Sequence, residues 1–75
     1  MQRFVVFTKD DCSWCQKTKD LLVSEGHEYF EWNIDQNLFA KEFIKQMGFI
    51  TIPQTYYRGT CIGGHLALVN FLGIN

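Results

Sequence analysis

A short apolar run, Phe4-Val5-Val6-Phe7, stops at the polar segment Thr8-Lys9-Asp10-Asp11, and Cys12-Ser13-Trp14-Cys15 follows at once. From Gln16 to Glu25 the pattern turns helical. A strand, a polar turn and a C-x-x-C at the mouth of a helix put two thiols where backbone N–H groups are free and the helix dipole is positive. Thiolate is favoured in such a place. A free cysteine titrates near ~8.5, and helix N-termini are among the settings that bring it to roughly 3.5–7.5. Residues with the spacing of Cys12 and Cys15 are neighbours on one helical face, close enough to bridge. The pattern predicts a thiol–disulfide site at a strand–helix junction.

The rest of the chain supplies partners for that junction. Arg3 to Thr8 reads as a strand, and its near-continuous apolar character predicts burial on both faces, as in a central parallel strand. The first helix runs from about Cys12 to Glu25, with Cys15, Thr18, Leu21, Leu22 and Glu25 at helical spacing and Gly26 as its stop. Asp11 is positioned to cap it, and the Asp10-Asp11 pair is expected to oppose thiolate formation at Cys12. His27 reads as a solvated turn residue. Tyr29 to Ile34 alternates, Phe30, Trp32 and Ile34 against Tyr29, Glu31 and Asn33, which predicts a half-buried strand.

Asp35 or Asn37 can cap a second helix that runs to about Met47 and ends at Gly48. Phe39, Phe43 and Met47 form a stripe along it that is expected to face the core. Pro53 follows Thr51-Ile52, and Gln54 to Arg58 reads as strand. Gly59-Thr60 turns the chain into a short return strand at Cys61-Ile62, where Cys61 is expected to be buried or half-buried. Gly63-Gly64 breaks that strand, and His65 to Leu72 forms a last helix closed by Gly73. The order is β-α-β-α-β-β-α. Its β-α-β half predicts a parallel pair with a right-handed crossover, and the hairpin adds an antiparallel pair.

Residues 1–75 read as a single α/β domain. The chain is near the lower end of what folds on one core, but 47% hydrophobic and 16% aromatic residues supply enough bulk for it. The net charge of −1 comes with no basic patch, which argues against a nucleic-acid partner. No apolar run approaches the ~20 residues that span a bilayer. Met1-Gln2-Arg3 leads straight into the first strand, so no signal peptide is expected. Three cysteines are too few, and an odd number, for a secreted disulfide scaffold, so a reducing, cytoplasmic setting is expected. A zinc set from Cys12, Cys15, Cys61 and His65 is a second reading, although paired zinc knuckles normally sit closer in sequence.

Taken together, Lys9, the Cys12-Ser13-Trp14-Cys15 dithiol, Thr51-Ile52-Pro53 and Gly63-Gly64 resemble the corresponding parts of a compact glutaredoxin, within the thioredoxin-like fold. The resemblance covers nearly the whole chain. It implies a four-stranded mixed sheet of order 2-1-3-4 flanked by three helices, with Pro53 cis and facing the dithiol. It implies thiol–disulfide oxidoreductase activity on protein or glutathione mixed disulfides, with Cys12 as nucleophile and Cys15 as resolving thiol. Lys9, Trp14, Ile52, Pro53, Gly64 and His65 would contact glutathione, the cosubstrate, and no cofactor would be tightly bound. Ribonucleotide reductase is a client that the family commonly serves, and a monomer is expected.

The departures from the family pattern matter. Ser13 stands where many glutaredoxins have proline, Phe49 and Ile50 precede T-I-P where a polar or basic residue is common, and Ala67 replaces the usual aspartate. A lost hydrogen bond to a charged group forfeits about 1.5–3 kcal/mol, so altered glutathione use is expected. Two alternatives stay open: a glutathione-independent redoxin reduced by thioredoxin reductase and donating to ribonucleotide reductase, and an iron–sulfur or zinc carrier.

Overall fold

The computed structural model describes residues 3–74. Its elements are β1 (Phe4–Thr8), α1 (Ser13–Ser24), β2 (Tyr29–Asn33), α2 (Leu38–Gln46), β3 (Gln54–Tyr57), β4 (Thr60–Gly63) and α3 (His65–Leu72). The four strands form one sheet in the order β2-β1-β3-β4. β1 pairs parallel with β2 and antiparallel with β3, and β3 pairs antiparallel with β4. The expected element order and the sheet order implied by the resemblance are both present.

Because β1 is central, its successive side chains feed two cores. Phe4 and Val6 pack with Leu22 of α1 and Leu68 of α3 on one face of the sheet. Val5 and Phe7 pack with Ala40 and Ile44 of α2 and with Tyr56 on the other. This is why the run reads as continuously apolar rather than alternating. β2 sits at the sheet edge. Tyr29 reaches the first core and Trp32 and Ile34 reach the second, while Phe30 stays exposed.

α2 corrects one expectation. Phe39 is 84% exposed and Met47 is also exposed, whereas the buried pair is Ala40 and Ile44. Both stripes repeat every four residues, so periodicity alone could not choose between them. The small Ala40 side chain takes the contact with the sheet. Phe43 lies at the rim, stacked on Phe7 with ring centroids 5.1 Å apart. Asn37, not Asp35, is the cap, and its carboxamide oxygen accepts the Ala40 N–H at 3.0 Å. The β3–β4 hairpin turns through Arg58 and Gly59, both at positive φ (50° and 83°), the geometry that matches strand twist in a tight hairpin.

Candidate functional site: a dithiol beside a cis-proline cleft

Backbone and side-chain bonds fix the turn that leaves β1. The buried Thr8 hydroxyl donates to Glu31 on β2 at 2.7 Å, and Glu31 in turn pairs with Lys19 of α1 at 3.2 Å. Asp10 accepts from the amides of Asn33 and Gln36, both at 3.0 Å, while its own N–H donates to Asp35. The Asp10 carboxylate is therefore committed to the β2–α2 loop. Asp11 sits at φ 53° and does not cap α1.

The cap is Cys12 itself, in extended geometry (φ −119°, ψ 103°), with its Sγ accepting the Cys15 N–H at 3.2 Å. This corrects the expectation for Asp11. Asp11 lies one residue too early, and its left-handed backbone carries the carboxylate into solvent rather than over the first turn. The N–H that a carboxylate would have taken belongs to the sulfur.

Cys12 and Cys15 form a disulfide, with Cα atoms 5.2 Å apart. Their surroundings differ. Cys12 is half-buried at the surface, and Cys15 is only 2% exposed, beneath the first turn. The Cys12 sulfur lies 4.0 Å from the carbonyl oxygen of Ile52, the residue before the cis-Pro53 bond. Near it lies a cleft of about 530 Å³ lined by Trp14, Thr51, Ile52, Pro53, Gly64, His65, Leu66 and Ala67. Five of the six residues expected to contact glutathione (Trp14, Ile52, Pro53, Gly64 and His65) line it. Lys9 does not; it stands exposed in the turn.

Of the two consecutive glycines, Gly63 is the one whose conformation requires glycine. Its φ is 121°, and a Cβ there would lie 3.1 Å from that of Ala67. At Gly64 an added Cβ would make only ordinary contact with the Pro53 carbonyl, at 3.7 Å.

His65 opens α3, and its Nδ1 lies 2.9 Å from the hydroxyl of Thr18, a fully buried residue of α1. Its ring centroid is 5.2 Å from that of Trp14, which is half exposed and carries the Lys17 ammonium over its face at 4.3 Å. Thr18 was legible in the sequence only as an inward position of α1. Its hydroxyl, the signal of a polar partner, could have marked it, but nothing local names His65.

The zinc reading does not assemble. Cys61 lies on β4 opposite Tyr56, whose ring belongs to the core on the α2 side of the sheet, while His65 bonds to α1 on the other side. Among the described residues no three His, Cys, Asp or Glu side chains come together as a metal site. Cys61 is also exposed rather than buried, because β4 is an edge strand and only its later residues are covered. Burial and the neighbouring Cys61 push the Tyr56 phenol above its ordinary value. Away from the site, His27 is exposed as expected and lies against Phe4, centroids 5.0 Å apart. Among the described residues no helix is long and apolar enough to cross a membrane.

The glutaredoxin family model matches residues 4–62, which include the dithiol, the cis-proline loop and the hairpin. The chain belongs to the glutaredoxin family. It is 37% identical over 65 residues to glutaredoxin 3 of Escherichia coli strain K12, a match covering 85% of this chain and 78% of the relative. Its structure resembles that of the glutaredoxin-like protein NrdH-redoxin from Escherichia coli, which has a thioredoxin-like activity profile, with a TM-score of 0.82, 25% identity and 95% of each chain covered. It resembles buckwheat glutaredoxin, solved in complex with glutathione, with a TM-score of 0.80, 25% identity, and 95% of this chain and 68% of the other covered. The fold is thioredoxin-like, and the Cys12/Cys15 pair makes this family member a thiol–disulfide oxidoreductase.

Proposed function

We propose that residues 1–75 act as a single glutaredoxin domain that reduces protein or glutathione mixed disulfides, with glutathione as the electron source. The observation that carries this reading is the half-buried Cys12 sulfur, 4.0 Å from the Ile52 carbonyl at the mouth of a cleft, with Cys15 buried behind it. In the reduced protein, the Cys12 thiolate attacks the substrate disulfide. One client sulfur leaves as thiolate and takes up a proton, and a mixed disulfide forms on Cys12. Cys15 then loses its proton and attacks the Cys12 sulfur, which releases the second client thiol and closes the Cys12–Cys15 disulfide. Glutathione thiolate reopens it by attacking Cys12, expelling Cys15. A second glutathione displaces the first as glutathione disulfide and restores both thiols.

In this scheme the backbone of Ile52, turned by cis-Pro53, offers a strand-like edge to the bound peptide. Gly64 and His65, at the start of α3, meet the carboxylate end with free N–H groups. Trp14 supplies a ring at the rim, and Lys9 adds positive charge from outside the cleft. The protein works as a cytoplasmic monomer, and a disulfide-bearing client such as ribonucleotide reductase is the natural acceptor.

A second reading is a redoxin reduced by a thioredoxin reductase without glutathione. Ala67 in the cleft wall and the 0.82 TM-score to NrdH-redoxin favour it. Turnover of a disulfide substrate, driven alternately by glutathione with its reductase and by thioredoxin reductase with NADPH, separates the two. Turnover with glutathione alone is expected. Turnover only with thioredoxin reductase would replace the first reading by the second.

A further inference from the structure

The dithiol cleft has an unusual charge balance. Of its eight lining residues, Trp14, Thr51, Ile52, Pro53, Gly64, His65, Leu66 and Ala67, only His65 has a side chain that can carry a charge. Helix α3, from His65 to Leu72, carries no other charged residue, and the Thr51-Ile52-Pro53 segment facing it carries none. From α1, the charged groups beside the ring are Lys17, which rests on Trp14, and Asp20, which accepts from Gln16 at 2.9 Å. The ring is also held. Its Nδ1 is bonded to Thr18 and its ring packs at a tilt against Trp14, so the remaining nitrogen, Nε2, is left for a ligand.

We propose that His65, anchored by Thr18 and Trp14, sets the cleft's preference for anionic thiols by gaining and losing a proton. This rests on the glutathione reading of the same cleft and adds a regulation to it. With the imidazole protonated, the cleft presents one fixed positive charge to the carboxylates of a thiol such as glutathione. With the imidazole neutral that charge is gone, and a carboxylate keeps only the N–H groups at the start of α3 and the ammonium groups of Lys9 and Lys17, which lie outside the cleft lining. An acidic shift therefore favours carboxylate-bearing thiols over neutral ones, and an alkaline shift weakens the preference. Thr18 is a positioning residue here, since it reaches the substrate only through His65.

The test measures the rate at which the oxidised protein is reduced by glutathione and by the uncharged thiol 2-mercaptoethanol. Each rate is divided by the thiolate concentration of its reagent, so that the ratio isolates recognition from thiol ionisation. For the wild type the glutathione to 2-mercaptoethanol ratio should be about two- to fivefold higher at pH 5.5 than at pH 8, the size expected of one partly exposed charge contact. His65→Gln should give a ratio that does not change with pH, and His65→Lys should keep it high at both values. A wild-type ratio above one that does not vary with pH, or a pH dependence that survives in His65→Gln, overturns the switch and leaves the glutathione reading standing. A ratio of one or less at every pH overturns both.

Discussion

Helix α3 lines the cleft with its first turn, and its one buried side chain, Leu68, is the main tie between that helix and the sheet. Leu68 is 0% exposed and packs with Phe4, Val6 and Leu22, while Leu66, on the same helix, is 74% exposed. Truncating Leu68 to alanine removes buried methyl groups and leaves a cavity in a core that includes both α1 and β1. Comparable leucine truncations cost about 2.7–5.0 kcal/mol. A domain of 75 residues holds roughly 4–11 kcal/mol in total. The loss is therefore about a quarter of the stability at the least and all of it at the worst. Leu66→Ala, on the same helix with the same chemistry, should cost no more than about 0.5 kcal/mol, as surface substitutions do. Urea unfolding of both variants, followed by far-UV circular dichroism under oxidising conditions, compares them directly. The Leu68→Ala midpoint should fall well below that of Leu66→Ala at similar slope. Equal midpoints would refute the assignment of Leu68 as the anchor of α3, and with it the packing that places His65 at the cleft.

Other consequences can be checked alongside. Cys15→Ser, incubated with glutathione disulfide, should accumulate a glutathione adduct on Cys12 visible by intact mass, because no neighbouring thiol can displace it, and Cys12→Ser should lose turnover altogether. Gly63→Ala should destabilise by about 1–3 kcal/mol in thermal or urea unfolding, since alanine is strained at φ 121° and its methyl would crowd Ala67. Tyr56→Phe should be close to neutral at pH 7, because the buried hydroxyl's neighbour is the Cys61 thiol, a weak hydrogen-bonding group. The same variant should also flatten the alkaline limb of the stability profile. The folded phenol titrates above its unfolded value of 10.0, so its contribution is complete below pH 10 and is lost as pH rises past the folded value. A wild type and a Tyr56→Phe variant with superimposable unfolding free energies from pH 9 to 12 would contradict this.

Much of the architecture could be read from short stretches of chain. The continuous apolar run Phe4 to Phe7 marked a strand buried on both faces, and β1 is the central strand. Gly26, Gly48 and Gly73 marked helix ends, and each stands at positive φ just past its helix. The dithiol at a helix mouth was visible because spacing and helix geometry are properties of neighbouring residues.

Four things were settled only when distant parts of the chain met. Ala40 and Ile44, rather than Phe39 and Met47, face the sheet, where they pack with Phe7 and Tyr56. Asp10 turns to Asn33 and Gln36 on another loop, and the Cys12 sulfur takes the capping position. Cys61 falls on the α2 side of the sheet, since its register against Tyr56 in the hairpin sets the face, and so it cannot join the other thiols. Thr18 and His65, 47 positions apart, become hydrogen-bond partners beside the cleft. Local sequence determines which segments become strands and helices because that depends on backbone geometry and the nearest side chains. Which face turns inward, and which polar atoms find one another, depends on contacts between residues far apart in the chain, and only the folded protein brings those together.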